Sequence, residues 1–342
     1  MSGTDDAIET WEISEGDFPS GGSMRERLSF LVNYAVLAPS SHNTQPWLFS
    51  IGEAGVDLLA DRTRALPIAD PDDRSLTISC GAALFNLFIA ARHFGLDVST
   101  TLLPDEATPD LLASISVRGR KAPTDEESRL FGAIKARRTN RMPFDKKAVR
   151  KDLIEKLKKA ARSAGAWLHI AESMDEKERI AALVAEGDRI QAANRQFRRE
   201  LAAWIHPNRS RSRDGMPGYA FGMGDLASSA GPFLIRTFDW GKGRAAKDKQ
   251  LASGSPLLAV LGTKGDSAGD WLVAGMALSR VLLLARSEGV WGSYLNQPIE
   301  VAELRPRLGE LVGEGFPQLL MRMGYGPGVL PTPRRPANEV IL

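Results

Sequence analysis

The chain has 342 residues, 43% hydrophobic and 25% charged, with a formal net charge of +2. This is the composition of a globular protein with room for about two domains, and it carries no overall charge bias toward nucleic acid or membrane surfaces. The single cysteine, Cys80, excludes an intramolecular disulfide and a cysteine-built metal site, as expected in a reducing compartment.

Residues 1–23 lack periodicity and end in Pro19-Ser20-Gly21-Gly22-Ser23, which predicts a flexible arm. The arm is acidic and polar, without the basic and apolar blocks of a signal peptide, so a cytoplasmic protein is expected. MRERLSFLVNYAVLA places Leu28, Leu31, Val32 and Ala35 at helical spacing and stops at Pro39. WLFSI and VDLLA read as short strands joined by a glycine-containing turn, followed by the polar loop DRTRALPIADPDDR. An apolar helix is predicted from about Ile78 to Phe94, with Leu84, Leu87, Phe88 and Ala91 on one face, and VSTTLLPD as a strand.

Beyond a charged linker (KAPTDEESR) come another helix, the segment ARRTNRMPFD, a basic helix at about 149–164 and the strand-like AWLHIAES. PFLIRTF and PLLAVLGT read as strands, 270–288 as a second apolar helix, and QLLMRMGYG as a closing strand before a tail rich in proline and arginine. The apolar stretch 271–285 is short for a membrane span, which needs about 20 residues, and contains Arg280. From about His206 to Gln250 the chain is basic and glycine-rich, as expected of an insertion able to fold over a site as a lid. Helices and strands alternate without a regular βαβ rhythm, which predicts an α+β fold.

The two apolar helices align. GAALFNLFIAARHFG (81–95) set over GMALSRVLLLARSEG (275–289) matches Gly81 with Gly275, Leu84 with Leu278, Arg92 with Arg286 and Gly95 with Gly289. The order of basic helix, WL-containing strand and glycine-bounded apolar helix also repeats. A duplicated fold is expected, its halves packed like a dimer on one chain with the apolar helices buried between them. The divisions are 24–130 and 131–342.

Three polar clusters stand apart from this scaffold. The loop Pro39-Ser40-Ser41-His42-Asn43-Thr44-Gln45-Pro46-Trp47 is dense in hydrogen-bonding groups. Arg137-Arg138-Thr139-Asn140-Arg141 carries three guanidinium groups in five residues, and the tail Pro331-Thr332-Pro333-Arg334-Arg335-Pro336 adds two more. Arginine forks match phosphate oxygens, and a hydroxyl beside them adds a donor, so the second and third clusters together suit a phosphate monoester.

With these motifs, RRTNRMPF, PSSHNTQPW, the paired apolar helices and MGYGPGVLPTPRRP, the chain resembles the nitroreductase family of FMN-dependent oxidoreductases, specifically its internally duplicated Acg-type branch. The resemblance spans roughly residues 25–340. It implies that Arg137, Arg138, Thr139 and Arg141 hold the FMN phosphate and the pyrimidine edge of the ring. It also implies that Pro39, Ser40, Ser41 and Asn43 cover that edge from the other half. Arg335, with Arg334, would close on the phosphate, and Tyr294-Leu295-Asn296-Gln297 matches the segment placed near N5 of the ring. In the family both motifs belong to each subunit and the flavin lies between subunits. Here the first half has only DFPSGGS before its first helix, and the second half has ARSAGAWL in place of the Asn-Gln loop. One composite site per chain is therefore expected.

The plainer readings are a helix-stopping turn for PSSHNTQPW and solvated surface charge for the arginine clusters. His42 has no acid at triad spacing, His93, His169 and His206 are scattered, and Cys80 reads as a core residue. RQFRRELAAWIHPNRSRSR lacks interleaved aromatics and GMPGYAFGMG lacks a strand–turn–helix context, so neither nucleic-acid nor dinucleotide-fingerprint binding is expected. The resemblance implies an enzyme in which NAD(P)H reduces FMN, and electrons pass to a small-molecule acceptor, a nitroaromatic or a quinone, in alternation. A permanent lid would instead make a flavin-storage protein, and loss of the flavin would leave an interaction scaffold. Neither membrane nor nucleic acid is an expected partner, and the chain is expected to act as a monomeric pseudo-dimer.

Overall fold

The computed structural model describes residues 8–239 and 241–342. Over 8–23 the expected flexible arm is not what is found, because its aromatic residues are packed against the rest of the chain. Trp11 donates its Nε1–H to the Thr332 carbonyl at 2.9 Å, and Phe18 stacks on Phe94 with ring centroids 4.2 Å apart. The first seven residues of that predicted arm lie outside the described residues. A capping box between Ser23 and Glu26 then opens α1 (Met24–Ala35), which buries Leu28, Leu31, Val32 and Ala35 as their spacing predicted.

In the first half, β1 (Trp47–Ile51) and β2 (Gly55–Ala60) form a hairpin with strictly alternating burial. Helix α2 (Arg74–His93) follows, then β3 (Leu96–Leu102), β4 (Leu111–Arg120) and α3 (Asp125–Ile134). The four strands make an antiparallel sheet in the order β1-β2-β4-β3. Strand β4 carries no strong sequence signal, since LLASISVRGR turns polar along its length.

The second half starts with α4 (Lys151–Ser163) and β5 (Trp167–Ile170). Four helices intervene: α5 (Met174–Ala193), α6 (Arg195–Ala203), α7 (Asp225–Thr237) and α8 (Gly241–Ser253). Between α6 and α7 lie the two-residue strands β6 (Ile205–His206) and β7 (Met216–Pro217). The chain then resumes with β8 (Leu257–Thr263), α9 (Ala268–Ser287), β9 (Trp291–Tyr294), α10 (Gln297–Glu300), α11 (Arg305–Val312) and β10 (Phe316–Gly324). The second sheet runs β5-β8-β10-β9. PFLIRTF, expected as a strand, lies in α7 across Pro232. A short apolar run does not distinguish helix from strand, and here no sheet edge receives it.

The strand orders of the two sheets correspond position by position, with α2 and α9 at the equivalent places. The hairpin turn of the first half, 52–54, is replaced in the second by the insertion 171–256. Helices α2 and α9 cross at their aligned glycines. A Cβ on Gly275 would stand 2.8 Å from both the Gly81 Cα and the Ala82 nitrogen, and closer still to the Ile78 carbonyl oxygen. Both helices are 20 residues long and apolar enough to cross a membrane by length and composition. The length argument made from 271–285 therefore does not hold for the whole helix, yet their apolar surface is spent in the core, where 18 of the residues of α2 are buried. The tail closes the molecule: Phe49 N–H donates to Val340 O at 2.7 Å and Leu342 N–H to Phe49 O at 2.9 Å, adding the C-terminus to the edge of the first sheet.

Candidate functional site

Pro39, the residue that stops α1, opens a loop of unusual backbone. His42, Asn43 and Gln45 all have positive φ, at 49°, 59° and 54°. Non-glycine residues in this region are strained unless their surroundings hold them there. The insertion and the tail both do so. Asn43 Nδ2 donates to Gly215 O at 2.9 Å and Pro333 O at 3.0 Å. Gln45 Nε2 donates to Arg213 O at 2.8 Å, and its Oε1 accepts from the Arg335 backbone N–H at 2.8 Å. Ser40 Oγ accepts from Gln45 N–H at 3.0 Å, and the Ser41 N–H reaches Ser79 Oγ on α2 at 3.3 Å.

The loop forms one wall of a cavity of about 540 Å³. Pro39, Ser40, Ser41 and His42 line it from the first half, with Ser75, Ile78 and Ser79 of α2. Thr139, Arg141, Leu278, Tyr294, Asn296, Gln297 and Glu300 line it from the second. The insertion completes it with Asp188, Phe197, Met216, Phe221, Arg244 and Lys247 among others. Eight of the fourteen residues expected from the sequence thus meet in one place, drawn from both halves.

The remaining six lie behind this surface. Leu295 is buried in the core, its N–H on Leu320 O at 2.9 Å. Asn43 accepts from Arg334 Nη1 at 2.7 Å. Arg137 is buried and donates to Leu37 O at 3.0 Å, and Arg138 donates to Val329 O at 3.1 Å. Arg334 is buried, bonded also to Ala38 O at 3.2 Å and Thr332 Oγ1 at 2.7 Å. Arg335 turns away to Asp61, 3.3 Å distant. A second, small cavity of about 20 Å³ is enclosed by Arg137, Arg138, Thr139, Tyr219, Arg334 and Trp11. The guanidinium groups of Arg138 and Arg334 sit 5.5 and 5.0 Å from the Trp11 ring.

The segment 137–141 is fixed along the edge of β9. Thr139 bridges Gly292 in parallel, and the Asn140 N–H donates to Gly292 O at 3.0 Å. Its arginines are short of acceptors. Among the described residues, Arg137, Arg138, Arg141 and Arg334 form no ion pair, and Arg137 Nε, Arg138 Nε, Arg141 Nη1, Arg334 Nε and the Tyr294 hydroxyl have no hydrogen-bond partner. Burial lowers the pKa of all four arginines, that of Arg141 to about 10. Like charge adds to the effect, since Arg138 lowers Arg137 and Arg137 lowers Arg334. His42 is pushed down to about 4 by burial and by Arg141, so it is neutral near pH 7.

Two acids, Asp188 and Glu300, also line the cavity beside Gln297, and of these three only Gln297 was expected from the sequence. Gln297 Nε2 donates to Asp188 Oδ1 at 3.1 Å and to Asp248 Oδ2 at 3.0 Å, while Asp248 pairs with Arg244 at 2.7 Å. Burial, then the charge of Asp248, raises Asp188 to about 7. Burial raises Glu300 to about 6 against the bond it accepts from Gln191. The available signals were faint: an acid within the apolar run of AALVAEGDRIQAA, and an Arg–Asp pair four residues apart in a helix.

The nitroreductase family matches this chain over residues 134–325. A protein of Mycobacterium tuberculosis provisionally named as an NAD(P)H nitroreductase is 31% identical over 330 residues, covering 95% of this chain and 92% of its own length. The Acg protein of the same organism, provisionally given the same activity, is 27% identical over 314 residues, or 90% and 93% of the two chains. The FMN-dependent nitroreductase of Mycobacterium smegmatis in complex with NADPH is 15% identical with a TM-score of 0.39, covering 63% of this chain and 97% of that one, too distant a likeness to define geometry here. On the matched length and the identity to its relatives, the chain belongs to the nitroreductase family.

Proposed function

We propose that this chain is an FMN-dependent oxidoreductase that takes electrons from NAD(P)H and delivers them to a small nitroaromatic or quinone, at one composite site per chain. The observation that carries this reading is the set of four arginines, Arg137 and Arg334 buried and Arg138 and Arg141 half-buried, none of which has a carboxylate partner among the described residues. Uncompensated buried charge is costly, by several kcal/mol per ion. An anion relieves it, and a phosphate monoester joined to a ring that becomes anionic on reduction matches both the sign and the donor chemistry. The orphaned donors of Arg137, Arg138, Arg141, Arg334 and Tyr294 therefore fit FMN.

When bound, FMN supplies two-electron chemistry that none of these side chains provides. The protein's part is binding and electrostatics. Arg138 and Arg334 would hold the phosphate beside Trp11, with Arg137 behind them. Thr139 and Arg141 would face the ring, where positive charge stabilises the reduced form. Ser40 and Ser41 add donors from the other half. The duplicated reading is supported by the shared strand order, the Gly81–Gly275 crossing and a cavity that draws on both halves. In this reading Asn43 and Arg335 hold the loop instead of the ligand.

The insertion supports a second reading. Its residues Phe221, Met223, Ile235 and Arg244 line the cavity, which supports reading about 206–250 as a lid. A lid that stays shut would make the protein a flavin store. Anaerobic addition of NADH and NADPH to the flavin-loaded protein separates the two. Bleaching of the flavin absorbance supports the enzyme, and an unchanged spectrum with both nucleotides removes it.

A further inference from the structure

Two acids that line the cavity, Asp188 and Glu300, have no part in holding an anion. Helix α5 approaches the 294–297 segment closely because residue 187 is glycine: a Cβ there would lie 2.8 Å from the Gln297 Cβ. This brings Asp188, 2% exposed, against Gln297, 8% exposed. Gln297 Nε2 donates to both Asp188 Oδ1 and Asp248 Oδ2. Among the described residues, Asp188 Oδ2 and Gln297 Oε1 have no hydrogen-bond partner, and both side chains line the cavity.

Among the described residues, Asp248 and Glu300 disfavour a charge on Asp188, while Arg244 favours one but is committed to a carboxylate of its own. Asp248 and Arg244, both from α8, pair with one another. Glu300, from α10, adds negative charge and is bonded to Gln191. Among the described residues, a carboxylate at Asp188 would have no ion-pair partner, and one of its oxygens would accept nothing. A carboxylic acid instead presents an O–H in search of an acceptor, and Phe197, Leu201 and Ile205 are among the apolar residues that line the same cavity.

We propose that Asp188 is the proton donor to the electron acceptor in this cavity, a role that rests on the flavin reading above. Reduction of a quinone to a hydroquinone takes up two electrons and two protons. The reduced cofactor supplies the electrons and one proton, and Asp188 supplies the other. The Asp188 O–H bond breaks, an O–H bond forms on the acceptor oxygen, and the aspartate regains its proton from water. With its midpoint at about 7, Asp188 is protonated below that pH and spent above it, which is where a donor working near neutrality is poised.

The test uses FMN-loaded protein, reduced anaerobically and mixed with a simple benzoquinone across the pH range. Wild-type reoxidation should slow as pH rises through about 7. Asp188→Asn keeps the shape of the protonated acid but has no proton to give. It should retain the flavin spectrum, reoxidise about 10²-fold more slowly at low pH, and lose the pH dependence. In parallel, carbon-13 carboxyl titration of the wild type should show a midpoint near 7. Reoxidation of Asp188→Asn with the wild-type rate and profile overturns the proposal. A wild-type Asp188 midpoint in the ordinary carboxylate range overturns it too, even where the variant fails to fold. A protein that binds no flavin, or is not reduced by NAD(P)H, sinks the underlying reading instead, and the carboxyl midpoint separates that failure from this one.

Discussion

Gly275→Ala adds one methyl group at the crossing of α2 and α9. Its Cβ would meet the Gly81 Cα and the Ala82 nitrogen at 2.8 Å, with the Ile78 carbonyl oxygen nearer still. These are backbone atoms of a packed helix and have no rotamer with which to retreat. Ordinary contact begins at roughly 3.4 Å, so the helices must part by more than half an ångström. Overpacking of this kind costs about 3 kcal/mol at the upper end of its usual range. Alanine recovers up to about 1 kcal/mol of helix propensity, which leaves a net loss of about 2 kcal/mol. Gly132→Ala is the control, because Gly132 lies in α3 with nothing within 4 Å of the methyl group that alanine would add; it should gain about 1 kcal/mol. Urea unfolding reads both. At a slope of about 3 kcal/mol/M, Gly275→Ala should lower the midpoint by roughly 0.7 M while Gly132→Ala raises it. Since Ile78 and Leu278 also line the cavity, the first variant should weaken FMN binding and the second should not. Equal midpoints for Gly275→Ala and wild type would refute the close crossing and, with it, the strongest geometric support for two matched halves.

Arg137→Ala should weaken FMN binding about 10- to 100-fold, the loss of one charge-assisted interaction of about 1.5–3 kcal/mol, and fluorescence titration with an unchanged dissociation constant would remove Arg137 from the anion site. Trp11→Ala should destabilise the protein by about 3 kcal/mol and open residues 8–23 to protease, because the indole is buried against Arg138 and Arg334; unaltered melting would restore the flexible arm. Burial alone would raise the pKa of Asp266, but hydrogen bonds from Arg305, Trp271 and Gln318 outweigh it and hold the carboxyl at about 2. That value lies below the unfolded one of about 4, so the stability it confers is complete above pH 4 and lost as pH falls toward 2, on the order of 2 kcal/mol. Asp266→Asn should therefore lose stability at neutral pH and show a shallower acid limb, and a parallel limb would contradict the assignment.

The parts of the fold that sequence reasoning reached are those whose physics is local. The alternation of WLFSI, the spacing of Leu28, Leu31 and Val32, and the long apolar runs of α2 and α9 each signal one element. The aligned glycines 81 and 275 signalled more, since the same pair forms the helix crossing. Helix α7 was misread because PFLIRTF is apolar enough for either state, and β4 was passed over because its polar end hides its pairing with β2 and β3. In the site, PSSHNTQPW and RRTNR stood out because clustered hydroxyls, amides and guanidinium groups are unusual anywhere. Their division of labour did not: which arginine faces the cavity and which braces a loop depends on the fold around it. Asp188 and Asp248 were invisible for a related reason. An aspartate becomes unusual only when a helix, a glycine and a glutamine close over it.

In the function proposed, four arginines without an ion-pair partner among the described residues and a strained loop from the other half make one flavin site per chain. Its most direct test is the amount and identity of flavin released when saturated, purified protein is denatured. FMN is expected at one equivalent per chain, falling in Arg334→Ala. Two equivalents per chain, or none after incubation with excess FMN, would contradict it.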